Sequence, residues 1–300
     1  MDARAAHTES IGFIGLGVMG RPMALNLLAA GFALTVLDRT PSTVAALVES
    51  GAETAPTPRA VAERCDIIIL MLPDSPDVEE VTVGSDGLLA GLRPGTLIID
   101  MSTISPVVTR RLAALVEAAA SGWLDAPVSG GDKGAIEGTL SIMVGGEEAD
   151  FARAKPVLNV LGGTIVRLGP VGSGQTVKAA NQIVVAAVFQ GLAEALTLTK
   201  HSGIDTELVV AVLQGGLAHT RCLELRKANY LQGSYPPGFR VALHHKDLGI
   251  ALDAGRAAGV PLPVTSLVRE FMGSMIARGG EGLDHSGLIT FVAHNAAEGS

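Results

Sequence analysis

Cysteine, aromatic residues, runs of basic charge and long apolar stretches are all scarce in this chain, and each scarcity excludes something. The two cysteines, Cys65 and Cys222, lie far apart beside apolar segments. They offer neither a disulfide framework nor a cysteine metal site, and read as buried free thiols in a reducing compartment. No Lys/Arg run occurs and the net charge is -8, which argues against a nucleic-acid surface and leaves open only a local basic pocket. The longest unbroken apolar stretches, such as IIILML over 67–72, fall far short of the roughly 20 residues that span a bilayer. The start, MDARAAHTES, lacks a hydrophobic signal core and reads as a ragged end. No membrane association is expected, and the cytoplasm is the default compartment.

With charged residues at 17% and apolar residues at 48%, the chain reads as a compact, Ala/Val/Leu/Gly-rich globule rather than a disordered or fibrous one. Its 300 residues exceed what one core usually organises, so two domains are expected. From Ile11 to about Gly169, short apolar runs alternate with helical patterns separated by Gly, Pro and Asp, the rhythm of a parallel sheet. The expected strands are 11–14, 34–37, 67–72, 96–100, 123–125, 140–144 and 164–168. TPSTVAALVES and SPVVTRRLAALVEAAAS place Pro near a first turn after Ser or Thr, a helix-start signal.

After RLGPVGSG the β-branched runs stop and helical patterns follow. One helix over Ser173–His201 would reach roughly 40 Å at about 1.5 Å per residue. DTELVVAVLQ, HHKDLGIALDAGRAAG and VTSLVREFMGSMIARG continue the helical half. The expected division is a nucleotide-binding domain over 1–170 and an all-helical domain over 171–300, with the boundary near Gly169–Gly174. IVVAAVFQGLAEALTL carries few charges for an exposed helix face, so a homodimer or homotetramer is expected.

Gly15-Leu16-Gly17-Val18-Met19-Gly20 stands directly after a strand-like run and directly before a helix-like one. In that setting the spacing reads as a dinucleotide fingerprint. Gly15 allows the tight turn, Gly17 lets backbone approach a pyrophosphate, and Gly20 lets the helix pack on the strand. Asp38 ends the next strand, where an acid accepts hydrogen bonds from an adenosine ribose, so NAD is the expected cofactor. Arg39 and Thr40 beside it leave NADP open. Further strand ends put Leu72, Pro73, Ser102 and Thr103 at the carboxyl edge of the sheet, where such folds bind ligands; turn chemistry explains each of these singly as well.

Two other stretches carry chemistry. Ser129-Gly130-Gly131 offers backbone amides beside a hydroxyl, suited to a substrate carboxylate, although a Ser-Gly-Gly turn has the same spelling. GSGQTVKAANQ puts Lys178 on the first turns of a long helix, with Asn181 and Gln182 on the same face. Periodicity alone would make Lys178 a side chain snorkelling outward. His219, His244, His245 and His285 form no H-x-x-H pairing and meet no carboxylate grouping, so no metal is expected. They read as surface, packing or substrate-shaping residues.

Four blocks, GFIGLGVMGRPMALNL, DAPVSGG, GSGQTVKAANQ and HHKDLGIAL, together resemble the β-hydroxyacid dehydrogenase family, and the resemblance runs from Ile11 into the C-terminal region. It implies an α/β fold, with a Rossmann-like, doubly wound NAD(P) domain joined by a long helix to an all-α C-terminal domain used in oligomerisation. It also implies that Lys178 is the catalytic acid/base, that Asn181 and Gln182 orient substrate and lysine, and that Lys246 reaches the cofactor side of the site. GAETAPTPRAVAERCDIIILMLPDSPDVEEV, LQGGLAHT, PPGFRVALHHKDL and LDHSGLI are similar to the members that reduce tartronate semialdehyde to glycerate. The implied substrate is a small three- or four-carbon hydroxyacid or semialdehyde. Oxidation of 3-hydroxyisobutyrate or another β-hydroxyacid is the nearest rival, and a non-catalytic dinucleotide-binding sensor or scaffold is the rival of another class.

Overall fold

The computed structural model describes residues 9–298; residues 1–8, part of the stretch read as a ragged end, lie outside them. The chain divides into two compact units, Met1–Lys178 and Ala179–Ser300.

The first unit is built on one sheet of β1 (Ile11–Ile14), β2 (Leu34–Leu37), β3 (Glu53–Thr54), β4 (Ile67–Leu70), β5 (Leu97–Asp100), β6 (Gly122–Asp125), β7 (Val128–Ser129), β8 (Leu140–Gly145) and β9 (Gly162–Gly169). The order is β3-β2-β1-β4-β5-β6-β8-β7, with β9 paired to β8. Its helices are α1 (Gly20–Ala30), α2 (Pro41–Glu49), α3 (Pro58–Ala62), α4 (Ser75–Val83), α5 (Pro106–Ala118), α6 (Gly131–Glu137) and α7 (Glu148–Leu161).

Strict alternation along the central strands explains why helices cover both faces. Ile67 and Ile69 share a core with Met23 and Leu27 of α1 and Val157 and Leu158 of α7. Ile68 and Leu70 pack instead with Val61 of α3 and Leu112 and Val116 of α5. A strand buried on both faces reads as a continuous apolar run, and IIIL is such a run.

Pairing from β3 through β6 is parallel. The expectation of a parallel sheet is corrected at one end, where β8 runs antiparallel to β6 and β7 before β9 pairs parallel to it. The link from β7 to β8 is shorter than the dozen or so residues that a parallel crossover needs.

The helical unit is entered through α8 (Ser173–His201), which crosses the division between the units. It continues with α9 (Thr206–Gly215), α10 (Arg221–Gln232), α11 (Val241–Ala258), α12 (Pro263–Ala277) and α13 (Leu288–Glu298). Phe189, Leu192, Ala193 and Leu196 recur along α8 at helical spacing and enter a core with Val241, Leu248, Val268 and Met272. Among the described residues α8 is the one helix long and apolar enough to cross a membrane, with a mean hydropathy of 1.5. Its place in this core accounts for part of that composition; Val184 and Leu198 are exposed.

Candidate active site

The turn after β1 is shaped by its glycines for two different reasons. Gly15 has φ +97°, and a Cβ there would meet the Met71 carbonyl oxygen at 2.3 Å; a Cβ on Gly20 would meet the Gly15 carbonyl oxygen at 1.9 Å. Protein packing alone therefore demands both. A Cβ on Gly17 would meet nothing within 4 Å among the described residues, so packing does not demand glycine there, whereas close approach of a phosphate does. Val18 is exposed beside it. Met19 precedes α1 without a side-chain cap, and no acidic residue stands in the first turn. The backbone N–H groups at that end suit an anion.

Asp38 follows β2 and accepts the N–H of Leu16 at 2.6 Å and that of Thr40 at 2.7 Å. It is thus a brace for the glycine turn, a role that its distance from Leu16 in sequence concealed. A carboxylate has about four acceptor sites, so capacity for a ribose remains. Arg39 is largely exposed and stands 3.5 Å from Asp77.

The loops after β4 and β5 meet the start of α8 in a closed set of hydrogen bonds. Asp125 accepts the N–H of Gly172 at 2.7 Å and of Gln175 at 2.8 Å, which places an acceptor at the positive end of α8. Burial pushes the Asp125 carboxyl above the usual carboxylate range, against the opposing pull of these N–H groups. Gln175 is buried; its Nε2 donates to the Ser102 carbonyl at 2.8 Å and its Oε1 accepts the Ile104 N–H at 3.2 Å. Ser102 Oγ accepts the Leu72 N–H at 2.9 Å, and the Ser102 N–H is donated to Asp100 at 3.0 Å. Leu72, Pro73 and Thr103 therefore sit on loops tied to the helix that carries Lys178. Lys178 stands one turn beyond Gln175 and is only 5% exposed. A lysine so placed is not a snorkelling surface residue.

Ser129 ends β7, and the next two residues take φ of +136° at Gly130 and +65° at Gly131, a path that a side chain would strain. A Cβ on Gly131 would meet nothing within 4 Å among the described residues.

In the helical unit a second polar cluster forms around residues of α8 and α11. Asn181 Nδ2 donates to Gln182 Oε1 at 2.9 Å, and Gln182 Nε2 donates to the buried Asp247 at 2.7 Å. Lys246 lies 3.1 Å from the other Asp247 oxygen. His244 and His285 are both buried, with their Nδ1 atoms 3.1 Å apart, and His244 Nε2 faces the Gln182 carbonyl at 3.2 Å. A carbonyl only accepts, so Nε2 of His244 is the donor in that bond. These two histidines have packing and hydrogen-bonding roles. Among the described residues no group of three His, Cys, Asp or Glu is placed to hold a metal ion.

Sequence reading missed Asp125, Gln175 and Asp247 as members of these clusters. All three lie inside stretches it singled out, but their bonds reach residues far along the chain, which no local pattern shows.

Residues 10–169 match the family model described as the NAD binding domain of 6-phosphogluconate dehydrogenase. Residues 172–292 match that described as NAD-binding of NADP-dependent 3-hydroxyisobutyrate dehydrogenase. The chain is 46% identical to 2-hydroxy-3-oxopropionate reductase of Escherichia coli (strain K12), over 93% of this chain and 95% of that protein. It is 38% identical to the mitochondrial 3-hydroxyisobutyrate dehydrogenase of Mus musculus, over 96% of this chain and 88% of that protein. Among solved structures, Mycobacterium tuberculosis 3-hydroxyisobutyrate dehydrogenase with L-serine superposes with a TM-score of 0.87. That likeness has 34% identity and covers 95% of this chain and 99% of the other.

Proposed function

Since the chain belongs to the β-hydroxyacid dehydrogenase family and is an NAD(P)-dependent oxidoreductase, we propose that it reversibly reduces tartronate semialdehyde to glycerate. The observation that carries the chemistry is a buried lysine, Lys178, on a helix whose first turn is hydrogen-bonded to the loops at the carboxyl edge of the sheet. The choice of substrate rests on the 46% identity to the reductase from Escherichia coli.

The glycine turn with Val18 and Met19 holds the pyrophosphate, Asp38 takes the ribose, and Leu72, Pro73 and Thr103 border the cofactor. When bound, the nicotinamide supplies a hydride to the aldehyde carbon. Lys178 Nζ gives its proton to the aldehyde oxygen, so C=O becomes CH–OH, and its charge steadies the oxygen while negative charge develops there. Ser129, Gly130 and Gly131 hold the substrate carboxylate. The family implies orienting roles for Asn181 and Gln182 and a cofactor contact for Lys246, and these belong to the same proposal.

Asp38 makes NAD(H) the preferred cofactor, since its charge opposes a 2′-phosphate. The proposal includes a cytoplasmic homodimer or homotetramer. Val184 and Leu198 of α8 and Leu208 and Val212 of α9 are exposed, an arrangement costly to leave in water; light scattering that gives a monomer mass would contradict it.

A second reading, oxidation of 3-hydroxyisobutyrate, is favoured by the likeness to the mouse and mycobacterial enzymes. One assay decides between them. NADH oxidation is followed with tartronate semialdehyde and methylmalonate semialdehyde, and kcat/KM is expected to be higher for the first; the reverse order selects the second reading. No turnover with either, alongside tight NADH binding, would favour a sensor or scaffold.

A further inference from the structure

We propose that Gln175 is a positioning residue for the reaction, holding the helix turn that bears Lys178 in register with the loops after β4 and β5. The inference rests on the reading of Lys178 as proton donor.

The position suits an amide. One side chain has to donate to the Ser102 carbonyl and accept from the Ile104 N–H. A carboxylate only accepts, a lysine or arginine only donates, and an aliphatic chain does neither. The main chain of Gln175 is pinned as well, because its N–H is taken by Asp125. The residue is thus fixed at backbone and side chain in a buried site, where a satisfied polar network is rigid.

What distinguishes this clamp from ordinary packing is where it leads. The Ser102 hydroxyl takes the Leu72 N–H, so the Leu72–Pro73 loop and the Ser102–Thr103 loop are tied to each other and, through Gln175, to α8. Lys178 lies three residues further along the same helix. Slippage at Gln175 therefore moves a proton donor relative to residues that border the cofactor, and a misplacement of about 1 Å costs on the order of 10²-fold in rate.

Gln175→Met tests this, because it keeps length and apolar volume while removing both amide bonds. It is assayed with Lys178→Ala alongside, using tartronate semialdehyde, or methylmalonate semialdehyde if the wild type prefers it, so that NADH is the hydride donor in either case. The readouts are kcat, KM, NADH affinity by fluorescence, thermal midpoint and the isotope effect with NADH deuterated at C4. The expected result is a kcat lower by about 10- to 100-fold with NADH affinity nearly kept. The isotope effect on kcat should rise toward that of hydride transfer itself, since a slowed chemical step is less masked by binding and release. A purely structural role would lower the thermal midpoint and leave kcat and the isotope effect unchanged for the folded fraction.

If Lys178→Ala loses turnover while Gln175→Met keeps kcat within about twofold of wild type, the role of Gln175 is overturned and that of Lys178 stands. If Lys178→Ala keeps turnover, the reading beneath the inference fails, and the inference with it. Should Gln175→Met not fold, Gln175→Asn decides on the same readouts, since it keeps the amide and removes only the reach.

Discussion

Asp38 takes the backbone N–H of Leu16 at 2.6 Å, and with the Gly15 N–H donated to the Leu37 carbonyl at 3.0 Å that bond joins the end of β2 to the glycine turn after β1. The acid expected to read the ribose thus also shapes the glycine turn. Asp38→Ala should therefore weaken NADH by more than a lost ribose contact would. Hydrogen bonds to a charged group contribute about 1.5–3 kcal/mol each, so a rise in the NADH dissociation constant of roughly tenfold or more is expected. The preference for NADH over NADPH should shrink as well. Fluorescence titration with both cofactors checks this, and unchanged NADH affinity would contradict both roles.

The glycines of the turn should separate into two behaviours. Gly17→Ala places a methyl where no described atom beyond its own chain neighbours lies within 4 Å, so the fold should melt near the wild-type midpoint while NADH affinity falls. Gly20→Ala drives a methyl into the Gly15 carbonyl oxygen, 1.9 Å away, and should lose stability by about 1–3 kcal/mol or more. Thermal melting without cofactor, followed by NADH titration, distinguishes them. Equal destabilisation by the two substitutions would mean that Gly17 is a packing residue.

Burial raises the Asp125 carboxyl above its unfolded value. Between the unfolded and the raised folded value the native state binds more protons than the unfolded chain, so stability falls as pH rises through that window. Asp125→Asn removes the titration and should flatten this slope, while lowering the midpoint at every pH because the Gly172 and Gln175 N–H groups face different carboxylate oxygens, and the NH2 that replaces one of them cannot accept. Melting curves taken upward from pH about 4 show it, and parallel slopes in variant and wild type would count against the assignment.

What was legible in the sequence followed from local pattern. The bounds 11–14 and 34–37 and those of α8 were readable because β-branched runs or helical spacing end there at Gly, Asp or a change of period. β3 was not, being two exposed residues, Glu53 and Thr54, without apolar alternation. α10 was missed because RCLELRKANYLQ is strongly polar and buries only Leu223 and Tyr230. The reversal at β8 depends on a connection length, which strand composition does not encode. Asp125 and Gln175 escaped for a related reason. Each makes its defining bonds to residues far along the chain, so the motif around Lys178 was visible while the clamp that seats it was not.

Lys178, buried on α8, is the proposed proton donor. Lys178→Ala should leave the glycine turn and Asp38 untouched, so NADH should bind nearly as it does to the wild type. Lys178→Arg should not restore activity, since a guanidinium does not give up its proton at working pH. The decisive measurement is kcat for tartronate semialdehyde reduction by Lys178→Ala, taken together with NADH affinity on the same preparation. A fall in kcat of about 10²- to 10⁴-fold with affinity retained is expected, whereas wild-type turnover with retained affinity would remove Lys178 from the mechanism.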